Sequence, residues 1–145
     1  MSTLPRAIQI ASAAHAGQRR KNGSPYILHP IRVMLAQDST EGMILGVLHD
    51  VIEDTPTTLD DLRQCGFDAI LSALALLTHT DDIPYEEYIQ RIGRHALASR
   101  VKLADLEDNM DVKQLPSVQE GDLRRTSKYH KAWVTLRSIM QEDAS

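Results

Sequence analysis

The sequence predicts an all-α fold, and three observations carry that prediction. Apolar residues recur at three- and four-residue spacing along most of the chain, whereas no segment of comparable length alternates with period two. The seven glycines and six prolines fall mostly where helix ends are expected. At 42% hydrophobic and 25% charged residues, the 145-residue chain can bury one core, so residues 1–145 are expected to form one helical domain.

The elements follow in order. A first helix is expected from about Leu4 to Arg20, with Ser2 or Thr3 as N-cap and Pro5 in the first turn. Asn22-Gly23-Ser24-Pro25 is a turn signal, and His29-Pro30 marks the start of a second helix. The third, about Thr40 to Ile52, is apolar over most of its circumference, which predicts a central, buried helix. Asp54-Thr55-Pro56 ends it, and Thr57 or Thr58 caps a short helix that stops near Cys65-Gly66. Ile70 to Leu77, Pro84 to Gly93, about Ala96 to Val112 and about Gly121 to Met140 complete the series. Trp133 and Phe67 are expected in the core, and packing roles are expected for Tyr85, Tyr88 and Tyr129.

Composition excludes several classes. Cys65 is the only cysteine, which leaves no disulfide framework and no thiolate zinc cluster. No apolar run approaches the roughly 18 residues of a membrane span, and the start of the chain has no signal-peptide pattern. A cytoplasmic protein without a membrane partner is the expectation. The net charge of −4 is unevenly spread: Arg6, Arg19, Arg20, Lys21 and Arg32 precede the first acidic residue, Asp38. A local basic cluster in an acidic chain suits a small anionic ligand, not DNA or RNA.

The chemistry concentrates in His49-Asp50-Val51-Ile52-Glu53-Asp54, where four ionisable side chains stand at the end of the most apolar helix. Burying them is costly unless they are paired or bound to metal. At about 100° per residue, positions 49, 50, 53 and 54 can converge on one side of the helix end. His29 and Asp105 are two further ionisable residues in apolar surroundings. Each alone reads as a structural residue. With His49 and Asp50 they make two imidazoles and two carboxylates, a set suited to a divalent transition ion such as manganese, iron, nickel or zinc.

The order His29, His49-Asp50, Asp105 resembles the HD superfamily of metal-dependent phosphohydrolases. More narrowly, residues 14–21 (AHAGQRRK), 25–30 (PYILHP), 48–55 (LHDVIEDT) and 102–105 (KLAD) resemble the alarmone hydrolase domain of the RelA/SpoT proteins and their small stand-alone relatives. The resemblance spans about residues 6–112. It implies a single HD-domain helical bundle with His29, His49, Asp50 and Asp105 as metal ligands, usually for manganese. It assigns Glu53 and Asp54 to the attacking water, Arg20 and Lys21, with Arg19 beside them, to the substrate phosphates, and Asn109 to the nucleotide or its sugar.

The implied reaction removes the 3′-diphosphate from guanosine tetra- or pentaphosphate, or acts on another 3′-phosphorylated nucleotide. At this length it is hydrolysis without an attached synthetase. Two other readings keep the same residues: a phosphatase for nucleoside monophosphates or other phosphoesters, and a non-catalytic nucleotide-binding module. The sequence departs from the family pattern in two places. Leu106-Glu107-Asp108 brings acids where a basic residue is usual, and Thr78-His79 stands where Thr-Lys is common. Both remove positive charge from regions expected to face the nucleotide. His15 is expected to be a core histidine or one that supports the ligands, and His79 an exposed loop residue.

Overall fold

The most apolar stretch of the chain forms the helix around which the others pack. The computed structural model describes residues 2–144, with helices α1 (Leu4–Ala14), α2 (Leu28–Leu35), α3 (Thr40–Leu48), α4 (Val51–Asp54), α5 (Leu59–Gln64), α6 (Leu71–Leu77), α7 (Tyr85–Gly93), α8 (Ala96–Asn109) and α9 (Glu120–Ala144). Two 3-10 turns, Asp68–Ile70 and Val112–Gln114, join them. Among the described residues the only β feature is an isolated bridge between Arg19 and Pro25. No described helix is long and apolar enough to cross a membrane.

Helix α3 packs against α1, α2, α6 and α8, and α8 packs in turn against α2, α6, α7 and α9. Leu45, Val47, Leu48 and Val51 meet Leu74, Val101, Leu106 and Leu136 in one core. Each such fully buried aliphatic side chain contributes about 1.5–3 kcal/mol relative to exposure. Because α8 is covered on two sides, it buries Ala98, Val101, Ala104, Asp105 and Leu106, which do not lie on one narrow stripe. Phe67 is buried as expected, but Trp133 is only partly so. It donates from Nε1 to Glu107 while the Arg137 guanidinium lies over its ring.

Most expected elements are present, and three boundaries differ in ways that matter. Helix α1 stops at Ala14, not Arg20. Gly17, at φ +84°, adopts a backbone conformation open to glycine, and Gln18–Arg20 then runs extended. Arg19 and Arg20 therefore lie on an extended strap, with Lys21 in the turn that follows, and not at a helix end. The expected helix Thr40–Ile52 is broken at His49-Asp50 into α3 and α4. The His49 ring donates to the Gly46 carbonyl, a group that would otherwise serve the helix ladder. Helix α8 ends at Asn109, three residues early, where Asp111 caps the 3-10 turn that follows.

Candidate metal centre and adjoining cleft

Four helices deliver the four expected ligands to one place. His29 lies in the first turn of α2, His49 closes α3, Asp50 opens α4, and Asp105 lies on the inner face of α8. His29, His49 and Asp105 are 1%, 3% and 5% exposed, so their charges must be answered locally. One donor atom from each of the four residues lies within 4.8 Å of the other three. His29 Nε2 is 2.8 Å from Asp105 Oδ1 and 3.5 Å from Asp50 Oδ2. His49 Nε2 is 3.0 Å from Asp50 Oδ2 and 3.3 Å from Asp105 Oδ1.

The other nitrogen of each ring is committed outward. His49 Nδ1 lies 2.6 Å from the Gly46 carbonyl, which can only accept, so Nδ1 carries the proton. His29 Nδ1 donates to Asp108 Oδ2 at 2.6 Å. Both Nε2 atoms thus face carboxylates, an arrangement that needs positive charge between the groups, from ring protons or from a cation. Burial opposes charge on both imidazoles, but Asp105 with Asp108 at His29, and Asp50 with Asp105 at His49, outweigh it and hold both above their ordinary value. Burial would raise the Asp105 carboxyl, yet Lys102 and His49 pull it well below the usual range. Lys102 Nζ sits 2.8 Å from Asp105 Oδ2. Two inward nitrogens, two inward carboxylates and outward N–H bonds to a carbonyl and a carboxylate are the features of a divalent-ion site, and the donor set fits one.

A second carboxylate group adjoins the first, with Asp50, Glu53 and Asp54 oxygens within 4.8 Å of one another. Glu53 Oε1 accepts from the His79 backbone N–H at 2.7 Å, which fixes its direction. Tyr26 OH lies 2.6 Å from Asp50 Oδ2 and 3.2 Å from Asp54 Oδ2, joining the two groups. Burial raises the Glu53 carboxyl against the opposing His79 bond, with Asp50 and Asp54 adding to the rise. Burial and then Asp50 raise Asp54.

The acids and the basic strap share a cleft. A cavity of about 240 Å³, lined by Asp50, Glu53, Asp54, Lys102 and Lys128 among others, adjoins one of about 380 Å³ lined by Arg19, Arg20, Lys21 and Arg125. Tyr26, Asn109 and Tyr129 border both. Arg20 NH2 lies 3.3 Å from Asn109 Oδ1, and Asn109 Nδ2 donates to Asp105 Oδ1 at 3.1 Å. Asn109 therefore links the strap to the tetrad. Arg19 is turned back, donating to the Gly23 carbonyl at 2.8 Å, and Lys21 reaches Asp122 at 3.4 Å.

The structure places the side chains at the two departures from the family pattern. Leu106 is fully buried, Glu107 points to Trp133, and Asp108 is bound by His29 and Arg32. His79 is half-buried, not exposed, with Nε2 donating to the Ile83 carbonyl and its ring against Tyr88. Lys102 and Lys128 line the same cavity as His79. His15 is buried with Nδ1 on Gln18 and its ring beside Tyr26. Spacing alone could have found Lys102 and Asp108, each three residues from Asp105 on the same helix. Lys128, Tyr129 and Arg125 carry no such signal, since α9 reaches the cleft only through its packing on α7 and α8.

Comparison with known proteins agrees with this geometry. No protein-family model matches the chain. It is 32% identical over 135 residues to the guanosine-3′,5′-bis(diphosphate) 3′-pyrophosphohydrolase of Aquifex aeolicus, covering 86% of this chain and 19% of that one. It is 30% identical over 140 residues to the bifunctional (p)ppGpp synthase/hydrolase SpoT of Escherichia coli, covering 86% and 20%. The chain is a RelA/SpoT hydrolase-like domain of the HD type. It spans about a fifth of the length of these relatives. A similar stretch, 38% identical over 120 residues, occurs in the GTP pyrophosphokinase of Streptomyces coelicolor, covering 74% and 14%. The all-helical fold itself is matched by a solved structure of a metazoan ortholog of SpoT described as hydrolysing ppGpp. The TM-score is 0.68 at 19% identity, over 99% of this chain and 96% of that one.

Proposed function

We propose that this domain is a metal-dependent pyrophosphohydrolase that removes the 3′-diphosphate from guanosine tetra- or pentaphosphate, or from a closely related 3′-phosphorylated nucleotide. The observation that carries the reading is the tetrad of His29, His49, Asp50 and Asp105, with both Nε2 atoms inward and both Nδ1 protons committed outward. Relatives named for this activity support it.

In this reading those four residues hold a divalent ion, manganese by resemblance to the family. Such an ion polarises a phosphoryl oxygen and lowers the pKa of water toward about 7. The chain supplies the rest. Glu53 or Asp54 accepts the proton of the attacking water, and burial holds both carboxyls above their ordinary values, nearer the range a base needs at neutral pH. The His79 N–H and Tyr26 hydroxyl keep those carboxylates directed at the cleft. Arg20 and Lys21, with Arg19, receive the phosphates, Arg20 being oriented by Asn109 before any ligand arrives.

The test is incubation of the purified protein with manganese and guanosine tetraphosphate, with both phosphate products quantified. Pyrophosphate release is the expected result. Orthophosphate release from nucleoside monophosphates alone would instead indicate a phosphomonoesterase. Tight nucleotide binding without turnover in several divalent ions would indicate a binding module.

A further inference from the structure

We infer that Asp108 is a positioning residue for the metal centre, whose carboxylate fixes the His29 imidazole with Nε2 turned toward the other ligands. The inference rests on the reading that the tetrad holds a divalent ion. Asp108 lies one helical turn beyond Asp105 on α8, so one face of that helix presents a ligand and a group that holds a second ligand.

Both oxygens of Asp108 are engaged. Oδ2 accepts from His29 Nδ1 at 2.6 Å and from Arg32 NH2 at 3.2 Å. Oδ1 accepts from Arg32 Nε at 2.6 Å and from Gln114 Nε2 at 2.9 Å. Arg20 NH1 approaches Oδ2 at 3.8 Å. The carboxylate cannot turn toward a phosphate without releasing His29, and its charge is answered by Arg32, so it adds little repulsion at the strap.

The ring of His29 gains from this in two ways. Only the orientation with Nδ1 outward makes the bond to Asp108, which selects between two nitrogens that would otherwise compete for the ion. A hydrogen bond to a carboxylate also makes the opposite nitrogen a stronger donor toward a metal. At His49 the corresponding bond goes to the Gly46 carbonyl. The two rings are thus held by different means, one by main chain and one by a side chain that substitution can remove.

The alternative role for Asp108 is to tether the 3-10 turn Val112–Gln114 through Gln114, and metal titration separates the two. Manganese affinity of the full chain, freed of metal, is measured by calorimetry, and the cobalt-loaded protein is examined by its ligand-field absorption. Asp108→Ala is expected to bind manganese about 10–100-fold more weakly and to alter the cobalt spectrum. Asp108→Asn, which keeps an oxygen for His29 Nδ1 but loses the charge, shows a smaller loss. It also carries the test if the alanine variant does not fold. Gln114→Ala cuts the tether and the bond that Gln114 Oε1 accepts from Arg32, leaves the Asp108–His29 bond in place, and keeps wild-type affinity while melting earlier. Wild-type affinity in both Asp108 variants overturns the inference, as does a loss in Gln114→Ala equal to that of Asp108→Ala. A wild-type chain that binds no divalent ion overturns the parent reading, a result seen before any variant is made.

Discussion

Glu53 and Arg20 illustrate how differently two residues of one cleft are expected to act. Glu53 is aimed by the His79 N–H and is not among the four inward donors. Glu53→Gln is therefore expected to retain metal while turnover falls about 10²–10⁴-fold, as for loss of a proton acceptor. Metal content and single-turnover rate, measured on the same preparation, check this. On the proposed reading Arg20 would meet the substrate before and during reaction, so Arg20→Ala is expected chiefly to raise KM. A kcat loss equal to that of Glu53→Gln would contradict this division. The candidate ligands themselves were legible in the sequence because histidine and aspartate are chemically out of place in apolar helices. Their partners were less so. Tyr26 and Asp108 are ordinary residues in a loop and on a helix, and their importance lies in what faces them across the fold.

At the scale of elements, the site depends on how closely α2 and α3 approach. A Cβ at Gly46 would stand 3.2 Å from Met34 Cα and Met34 N, backbone atoms of α2 that cannot swing aside. Alanine gains about 1 kcal/mol of helix propensity over glycine, while overpacking typically costs about 1–3 kcal/mol. Because α2 carries His29, the strain is expected to win: Gly46→Ala should lower both the melting temperature and the metal affinity.

The start of α9 is tied differently. Asp122 accepts from the Gln119 backbone N–H and meets Lys21 and Arg125, which together hold its carboxyl below the ordinary value. Its stabilisation is thus fully present above the unfolded carboxylate value of about 3.9 and is lost as the pH falls from there through the lower folded value. Asp122→Asn should melt earlier than wild type at pH 7, and the gap should narrow below about pH 4. Thermal melts of both proteins across that range decide it. The same contact makes α9 a backing for the segment 19–21, a role that the helical pattern of α9 does not reveal.

Over the whole molecule, the tetrad concentrates acidic charge where α2, α3 and α8 meet, and a bound ion would tie together three helices that already pack on one another. A ligand that binds only the folded state stabilises it by about 2.7 kcal/mol at a hundred times its dissociation constant. Manganese is accordingly expected to raise the melting temperature of the wild-type chain and a chelator to reverse the shift, with neither acting on His49→Ala. By itself the sequence determined the all-helical class, the central α3 and the four candidate ligands, because periodicity and buried charge are local properties of a chain. Only the tertiary structure decided that Arg19 and Arg20 lie on an extended strap, that α3 breaks at His49, and that Asp108 serves His29 instead of crowding a phosphate. The last of these depends on two groups 79 positions apart in the chain, His29 and Asp108, meeting in the fold. No spacing along the sequence encodes a contact of that kind.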